Sequence, residues 1–449
     1  MTHREVDAAI ISRLADFVGE NNVLCLPGRE KAGAPGTCTA GGEKTGRPGV
    51  LVRPADTAEL SRLMRLAAEK RIAVTTVGAG GSRPVHGGIL LSLERFNRIL
   101  ELDPEGRRLV VEPAVTVARI QRQAREAGLF YAGDPEVPEV VYIGNCIAGN
   151  TRGRKAAKYG CALRHLLGLE VVLPGGEVTT LGGEDAAGYN LLALLAGSRD
   201  TLGVITKIHL QLTPLPGYEA DLLVVFPDRE TAARLAPRIM SGETVPVCLE
   251  YMDGLTLRAA GQYLNCRLPH GEAGACLIVG IEDTDEERAA GGCETLGRLC
   301  EEHGAVEIFV GDSLSARERI WRPRHCHIRA LKAMSPVCCV QNIVAPVARV
   351  PGVLREIDRL AGKYGIKIAC CGHAGDGHLH AVLLRESLPE EVWQGREHLL
   401  EELGSAVRAL GGQLFTSTTE LPGGADPVQQ KMARAIKQAL DPGNILNPV

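Results

Sequence analysis

The sequence predicts an α+β protein of two domains. Strand and helix patterns alternate along most of its 449 residues, which is more chain than one domain of ordinary size holds. The pattern stops at Leu215-Pro216-Gly217 and then restarts, as it does at a domain boundary. We therefore expect a first domain over residues 1–216, a second over residues 217–425, and a C-terminal helix and tail over residues 426–449 that return to the first domain.

The elements of the first domain follow from short periodic segments. Residues 1–20 have a helical pattern, and a strand at residues 49–53 follows a loop rich in glycine and proline. Asp56 and Glu59 have the spacing of a capping box, so a helix is expected to begin there. Further strands are expected at residues 73–77, 89–93, 109–112, 168–173 and 204–212, a helix at 117–127, and an irregular glycine-rich stretch at 131–160.

The second domain repeats the alternation with longer elements. Strands are expected at residues 222–226, 247–251, 275–282 and 306–310, and helices at residues 231–240 and 286–303. Strands and helices in this order suit an α+β domain whose strands can pair in antiparallel fashion.

Charge and composition exclude several classes of function. The formal net charge is only −4, so the chain has no electrostatic footprint for nucleic acid or anionic lipid. It contains neither an apolar run long enough for a membrane span nor a secretory leader. The 14 cysteines include no C-x-x-C pair, which argues against a zinc ribbon or an iron–sulfur ligand run. Many free thiols fit a reducing compartment, and we expect a cytoplasmic protein.

Two glycine motifs look like nucleotide sites but fail on detail. The run Gly42-Glu43-Lys44-Thr45 lacks the glycine directly before the lysine that a P-loop needs. The run Gly78-Ala79-Gly80 follows a strand, but the third glycine of a dinucleotide fingerprint would fall on Arg83. A Rossmann-type site is therefore not indicated.

A different kind of phosphate site fits the glycine pattern better. The small residues from Gly78 to Ser82 end a predicted strand, and such a run lets successive backbone amides point at an anion. A second group of glycine, asparagine and aspartate residues follows between Asp134 and Gly160. Two such loops in one domain favour an extended diphosphate cofactor over two unrelated turns.

Three histidines lie within eight residues of the second domain. They are His373, His378 and His380, and they flank Gly375-Asp376-Gly377. Neutral imidazoles are good ligands for Zn, Fe or Mn, and a nearby aspartate can orient one of them. The sequence therefore indicates a divalent metal site here.

The order of motifs resembles one family of flavoproteins. Residues 48–215 are similar to the FAD-binding domain of the vanillyl-alcohol-oxidase type, and the C-terminal motifs are similar to those of the D-lactate dehydrogenase and glycolate oxidase flavoprotein subunit family. The motifs that carry the resemblance are 77–82, 91–99, 111–113, 168–173, 201–206, 372–380 and 440–448. The resemblance implies a two-domain flavoprotein whose second, α+β (ferredoxin-like) domain caps the substrate site.

One non-covalent FAD is implied for the first domain. The family's covalent members often carry a histidine in the glycine loop, where this chain has Gly80-Gly81-Ser82, and His86 is the nearest candidate linker. The residues implied to contact FAD are Val77, Gly78, Ala79, Gly80, Gly81, Ser82, Asp134, Pro135, Gly144, Asn145, Gly149, Asn150, Lys158, Tyr159, Gly160, Gly203 and Ile205.

The resemblance also assigns roles in the second domain. His373, His380 and Glu420 match the family's metal ligands, and Arg324 matches an arginine that binds the substrate carboxylate, a role that suits a guanidinium fork. The family's histidine base is replaced by Leu421. His378 stands where the family usually has asparagine, so we expect it to act as the base instead; the ordinary pKa of histidine, about 6.5, suits that role.

The implied activity is metal-assisted oxidation of a D-2-hydroxy acid, lactate-like or glycolate-like, to the 2-oxo acid. Electrons would pass from the flavin to a partner, an iron–sulfur subunit or an electron-transfer flavoprotein. Two alternatives stay open. One is an electron-transfer subunit that has lost hydroxy-acid chemistry, which Leu421 favours. The other is a metal-free alcohol oxidase that uses oxygen, and the paired histidines argue against it.

Overall fold

The computed structural model describes residues 3–26, 49–77, 85–135, 137–183, 188–266, 268, 274–386, 388–416 and 427–448. These residues pack as two compact units. The first is drawn from Met1–Gly153, Cys161–Leu215 and Thr418–Val449, and the second from Arg154–Gly160 and Pro216–Ser417. The short stretch at 154–160, which the sequence analysis assigned to the first domain, thus packs with the second unit.

The helices and strands of the described residues are numbered here in chain order. The helices are α1 (Ala8–Val18), α2 (Thr57–Lys70), α3 (Val117–Glu126), α4 (Ile143–Ala148), α5 (Ala156–Tyr159), α6 (Leu191–Leu195), α7 (Arg229–Met240), α8 (Gly254–Tyr263), α9 (Glu286–Glu302), α10 (Leu314–Met334), α11 (Val350–Tyr364), α12 (Glu390–Gln394), α13 (Arg396–Ala409) and α14 (Pro427–Leu440). The strands are β1 (Val23–Cys25), β2 (Val50–Val52), β3 (Val74–Thr76), β4 (Ile89–Leu91), β5 (Ile99–Asp103), β6 (Arg108–Val111), β7 (Leu129–Phe130), β8 (Leu166–Val172), β9 (Val178–Gly182), β10 (Val204–Gln211), β11 (Thr213–Pro214), β12 (Tyr218–Phe226), β13 (Cys248–Asp253), β14 (Ala275–Asp283), β15 (Glu307–Gly311), β16 (Cys338–Val344), β17 (Lys367–His373), β18 (His378–Leu384) and β19 (Gln413–Thr416).

The first unit contains two main sheets. In the first, strands follow the order β1-β2-β4-β3, with parallel pairing of β4 to both β2 and β3. In the second the order is β5-β6-β10-β8-β9, and every pairing is antiparallel. Asp56 caps α2 as predicted and accepts a hydrogen bond from the Glu59 amide at 2.8 Å, while the Glu59 carboxylate accepts one at 2.8 Å from the amide of Ala55, one residue before the amide that a capping box uses. The helix start is therefore confirmed.

The stretch at 131–160 is more ordered than its glycine content predicts. It contains α4 and α5 rather than only irregular backbone, so that expectation was wrong. Gly144 shows why a glycine is tolerated in α4, since a Cβ there would lie 2.6 Å from the Pro113 Cβ. Close packing, and not helix propensity, selects glycine at this position.

The C-terminal segment packs in the first unit. Asn447 accepts a hydrogen bond from the Thr76 amide and donates one to the Thr76 hydroxyl, both at 3.0 Å. Lys437 is buried, and its ammonium donates to the Asp441 carboxylate at 2.6 Å and to the carbonyls of Thr201 and Leu446 at 2.8 and 2.6 Å. The Asn447 bonds attach the tail to β3, the strand that leads into the predicted phosphate loop, and one Lys437 bond attaches it to Thr201.

The second unit is built on one antiparallel sheet with the strand order β15-β12-β14-β13-β17-β18-β16-β19. Helices α7, α9, α11 and α13 pack on one face through the largest apolar cluster. Helices α8 and α10 pack on the other face through three smaller clusters. We call this second surface the histidine face, because His373, His378 and His380 lie on it. In the part of the chain that the structure describes, no helix has the length and hydropathy of a membrane span.

The bonds of Lys437 generate a stability prediction. Lys437→Met is expected to lower the free energy of unfolding by about 3–5 kcal/mol, because it leaves the buried Asp441 carboxylate without its cation. Lys431→Met, an exposed position on the same helix, is the control and is expected to change stability by no more than about 0.5 kcal/mol. Equal unfolding midpoints in urea for the two variants would show that the Lys437 bonds do not hold the tail.

Candidate active site

The histidine cluster is positioned by one β-hairpin. Strands β17 and β18 pair so that His373 lies directly opposite His378. His380 is two residues further along β18, on the same face, and lies opposite Asn342 of β16. The turn requires glycine: Gly377 has φ +76°, and a Cβ there would lie 1.8 Å from the Ala345 carbonyl oxygen. The spacing of the histidines in the sequence is therefore a consequence of hairpin register.

Two of the histidines are oriented by oxygen acceptors. His373 Nδ1 lies 2.5 Å from the Glu250 carboxylate, which faces it from the neighbouring strand β13. His380 Nδ1 lies 2.7 Å from the Asn342 side-chain oxygen. An oxygen acceptor at Nδ1 places the proton there, so that Nε2 of each ring keeps its lone pair. The two ring centres are 6.3 Å apart.

Glu250 bridges the histidine and the predicted substrate arginine. Its other oxygen accepts a hydrogen bond from Arg324 Nε at 2.8 Å. The Glu250 side chain is fully buried and the Arg324 side chain is 1% exposed, so each charge depends on the other for compensation. The sequence analysis did not identify Glu250. A signal was available, since a lone charge inside the apolar run of β13 implies a buried ion that needs a partner.

Two more imidazoles complete the cluster. The ring centre of His378 lies 5.0 Å from that of His380 and 5.9 Å from that of His373. The ring centre of His327, on α10, lies 6.3 Å from that of His380, and its Nδ1 lies 3.0 Å from Arg324 Nη1. The sequence analysis gave His327 no role; its helical position three residues after Arg324 is what brings it to the same place.

The donor set fits a divalent metal. Two imidazole Nε2 lone pairs, each with its Nδ1 held by an oxygen acceptor, are typical ligands of Zn, Fe or Mn. The third predicted ligand, Glu420, and the substituted position Leu421 lie outside the described residues. Within the described residues no group of three or more His, Cys, Asp or Glu side chains forms a complete metal site. His373 and His380 are therefore suited to bind a metal, and the metal itself stays a prediction.

The first unit contains part of the predicted cofactor site. The loop Gly78–Ser82 lies outside the described residues, and Val77, exposed at the end of β3, is its last described neighbour. Asp134 is buried, and its backbone touches Gly153 so closely that a Cβ on Gly153 would lie 2.1 Å from the Asp134 carbonyl oxygen. Pro135 is buried beside it.

Two buried polar atoms lie near this segment. Tyr131 Oη and His165 Nε2 have no hydrogen-bond partner among the described residues, and their rings meet edge to face at 5.7 Å. Burial raises the pKa of Tyr131 and lowers the pKa of His165, so both groups are neutral. Buried polar atoms normally have partners, so a ligand with polar atoms fits this region. Sequence reasoning missed both residues, because single tyrosines and histidines carry no motif.

Several other residues predicted to contact FAD lie in α4, directly after it, or at the start of β10. Gly144 and Asn145 lie in α4, with Gly149 and Asn150 directly after it. The Asn150 side chain accepts a hydrogen bond from the Leu163 amide at 3.0 Å. Ile205 and Gly203 are buried at the start of β10, where Ile205 belongs to the apolar core. Their contacts with FAD stay predictions.

Lys158 and Tyr159, by contrast, have partners in the second unit. The Lys158 ammonium lies 3.0 Å from the Glu282 carboxylate, and the Tyr159 hydroxyl donates to that same carboxylate. Burial and this hydrogen bond raise the pKa of Tyr159. Lys155 joins the group at 2.7 Å from Glu282. The segment that ends at Gly160 is thus held by buried charge, and its contact with FAD also stays a prediction.

Comparison with known families matches two parts of the chain. The family described as FAD binding domain matches residues 48–182, and the family described as FAD linked oxidases, C-terminal domain, matches residues 215–449. The chain belongs to the FAD-linked oxidases. It is 30% identical over 413 residues to the glycolate oxidase subunit GlcD of Bacillus subtilis, covering 89% of this chain and 87% of that protein. It is 31% identical over 434 residues to the subunit of the same name in Escherichia coli K12, covering 92% and 85%. The D-lactate dehydrogenase of Anaerostipes hadrus is 27% identical over 420 residues, with 89% and 88% covered.

Solved structures confirm the fold class of this FAD-linked oxidase. The p-cresol methylhydroxylase structure superposes with a TM-score of 0.74 at 19% identity, covering 98% of this chain and 95% of that one. The 4-ethylphenol oxidase from Gulosibacter chungangensis superposes with a TM-score of 0.74 at 17% identity, covering 100% and 98%. Both are enzymes of the vanillyl-alcohol-oxidase type, so the predicted fold class is confirmed.

The FAD-linked oxidase is an FAD-dependent oxidoreductase. The unpartnered Tyr131 and His165 atoms and the close approach at Gly153 fit a polar cofactor in the first unit. His86, the candidate for covalent attachment, is exposed, and its Nε2 lies 3.8 Å from Glu5. Non-covalent binding of the flavin stays a prediction.

The Glu250 bridge generates a prediction on metal affinity. Glu250→Gln keeps the shape of the side chain but places an amide NH₂ where either Arg324 or His373 donates. We expect the affinity of the protein for Zn²⁺ or Mn²⁺ to fall about 10–100-fold, the usual cost of losing a residue that orients a ligand. Competition with a chelator measures it.

The control for this experiment is Glu294→Gln, an exposed position on α9, which is expected to keep the parental affinity. If Glu250→Gln also keeps it, His373 is not oriented by Glu250 for metal binding.

Proposed function

We propose that the FAD-linked oxidase oxidises a D-2-hydroxy acid, lactate-like or glycolate-like, to the 2-oxo acid, with a divalent metal in the site. The reaction removes the hydroxyl proton and a hydride from C2, and leaves a carbonyl group there. The single observation that supports it best is the pair of imidazoles, His373 and His380, whose Nδ1 atoms each contact an oxygen acceptor, so that both Nε2 lone pairs are available beside a buried arginine.

The names of the relatives agree with this substrate class. Glycolate and D-lactate are both 2-hydroxy acids, and relatives named for them cover most of this chain. Phenol-oxidising neighbours share the fold only, at 17–19% identity, and fold alone does not define a reaction.

The cofactors supply chemistry that side chains lack. FAD, when bound, accepts the hydride, and a divalent ion held by His373, His380 and Glu420 lowers the pKa of the substrate hydroxyl. The chain itself orients the substrate and receives the proton.

Arg324 and His378 are the residues to which we assign these tasks. Arg324 attracts the substrate carboxylate, and Glu250 fixes the direction of its guanidinium through Nε. His378 takes the hydroxyl proton. Its backbone amide donates a hydrogen bond to the Asp376 carboxylate at 3.2 Å, and this bond fixes the hairpin turn. The centre of its ring lies 5.9 Å from that of His373 and 5.0 Å from that of His380, the two proposed metal ligands.

The electrons must leave the flavin for another acceptor. Relatives named as oxidase subunits support an assembly with partner chains. Since the sequence has no C-x-x-C ligand run, we propose an iron–sulfur subunit or an electron-transfer flavoprotein as the partner.

Leu421 favours one alternative. A chain with leucine in place of the family's histidine could serve as an electron-transfer subunit without hydroxy-acid chemistry. The proposal and this alternative differ in whether a hydroxy acid reduces the flavin.

Anaerobic flavin bleaching separates them. We expect D-lactate or glycolate to bleach the visible flavin absorbance of the FAD- and metal-loaded protein, and L-lactate to bleach it more slowly. A flavin that dithionite reduces but no 2-hydroxy acid reduces would support the electron-transfer alternative and contradict the proposal.

His378 provides the variant test. His378→Asn is expected to lower the rate of flavin reduction about 10²–10⁴-fold, the usual contribution of a general base, while FAD and metal content stay unchanged. His398→Asn, an exposed histidine on α13, is the control and should reduce at the parental rate. A parental rate in His378→Asn would show that another group accepts the proton.

A further inference from the structure

A cavity on the histidine face is lined by none of the three histidines. It has a volume of about 450 Å³ and lies between the sheet and helices α8 and α10. Its lining contains none of the polar residues of the histidine cluster. The apolar side chains that form its floor and walls include Leu223, Met252, Ile278, Leu257, Phe309 and Ile320.

The cavity is too large to be a packing defect. Protein interiors pack as densely as organic crystals, and an engineered apolar cavity of roughly 150 Å³ already stays dry and binds benzene. This cavity is about three times as large, and it falls within the usual range of ligand pockets, roughly 300–1,000 Å³. Cys276 on its floor carries no charge, since burial raises the pKa of the thiol to about 12. Filling the space with a polar ligand is therefore unfavourable.

The rim of the cavity is basic. Arg319 and Arg322 line it from α10, three residues apart and so on one side of the helix. Both are exposed, and neither forms an ion pair with any residue that the structure describes. Pro323, which also lines the cavity, has no amide to donate to the Arg319 carbonyl, so the helix lacks one of its own hydrogen bonds at this rim.

We propose that this cavity binds a single-chain carboxylate, with the alkyl chain inside and the carboxylate at Arg319 and Arg322. An apolar interior with two arginines at the opening matches an anionic amphiphile, because a guanidinium binds a carboxylate through paired hydrogen bonds. The site is independent of the proposed hydroxy-acid chemistry, and nothing in it requires the flavin or the metal.

Calorimetric titration of the holoprotein with hexanoate, octanoate and decanoate, each below its micelle concentration, tests the proposal. We expect one molecule per chain and an affinity that rises up to about fourfold for each added CH₂ group. Decanol, which has the same chain without the charge, is expected to bind about tenfold more weakly than decanoate, because it loses the charge-assisted bonds.

A double variant identifies the rim. Arg319→Ala with Arg322→Ala is expected to weaken decanoate binding about tenfold or more and to leave decanol binding unchanged, and both positions are exposed, so folding is not at risk. Arg329→Ala, exposed on the same helix outside the cavity, is the control. Three results would each overturn the proposal: decanoate does not bind, several decanoate molecules bind per chain, or the double variant loses affinity for decanoate and decanol equally. None of these results bears on whether hydroxy acids reduce the flavin, so the two proposals fail separately.

Discussion

The buried carboxylate of Glu250 is the interaction on which the candidate active site depends. It accepts from Arg324 on one side and from His373 on the other, at 2.8 and 2.5 Å. A fully buried anion is tolerated only when it is paired and hydrogen-bonded, so the arginine and the histidine cannot move independently of it. In the proposed reaction, Arg324 attracts the substrate carboxylate and His373 is a ligand of the metal. One residue thus sets the direction of both.

Strand register explains why the other polar groups converge on the same place. The partners Glu250, His373 and His378 follow one line across three strands, and side chains opposite one another in an antiparallel sheet share a face. His380 and Asn342 form the next pair on that face. A shift of one residue in any of these strands would turn its side chain to the opposite face, where α7, α9, α11 and α13 pack. The packing on both faces of the sheet therefore fixes the register that brings the polar side chains of the site together.

Much of this was predictable from the sequence, and the exceptions have physical causes. The helix start at Asp56 and the strands β2, β3, β4, β6, β8, β10 and β12 to β15 were predicted from local patterns, whereas β16 to β19, which include the hairpin of the histidines, were not. The charge inside the apolar run of β13 indicates that Glu250 is a buried ion, but its partners, Arg324 and His373, are 74 and 123 residues away in sequence, and no local pattern identifies them. The helices at 143–148 and 156–159 were missed because tertiary packing, as at Gly144 against Pro113, overrides the low helix propensity of glycine. The resemblance assigned Lys158 and Tyr159 to the flavin site, and their contacts with the buried Glu282 carboxylate, more than 120 residues away in sequence, could not be read from a local pattern.

Anomalous X-ray diffraction from crystals of the FAD-loaded protein with Mn²⁺ or Zn²⁺ tests the central claim most directly. The account predicts one metal peak bonded to Nε2 of both His373 and His380, at about 2.0–2.1 Å for Zn²⁺, with Glu250 still between His373 Nδ1 and Arg324. A metal bound at another place in the chain, or a peak bonded to the Glu250 carboxylate in place of His373, would contradict it.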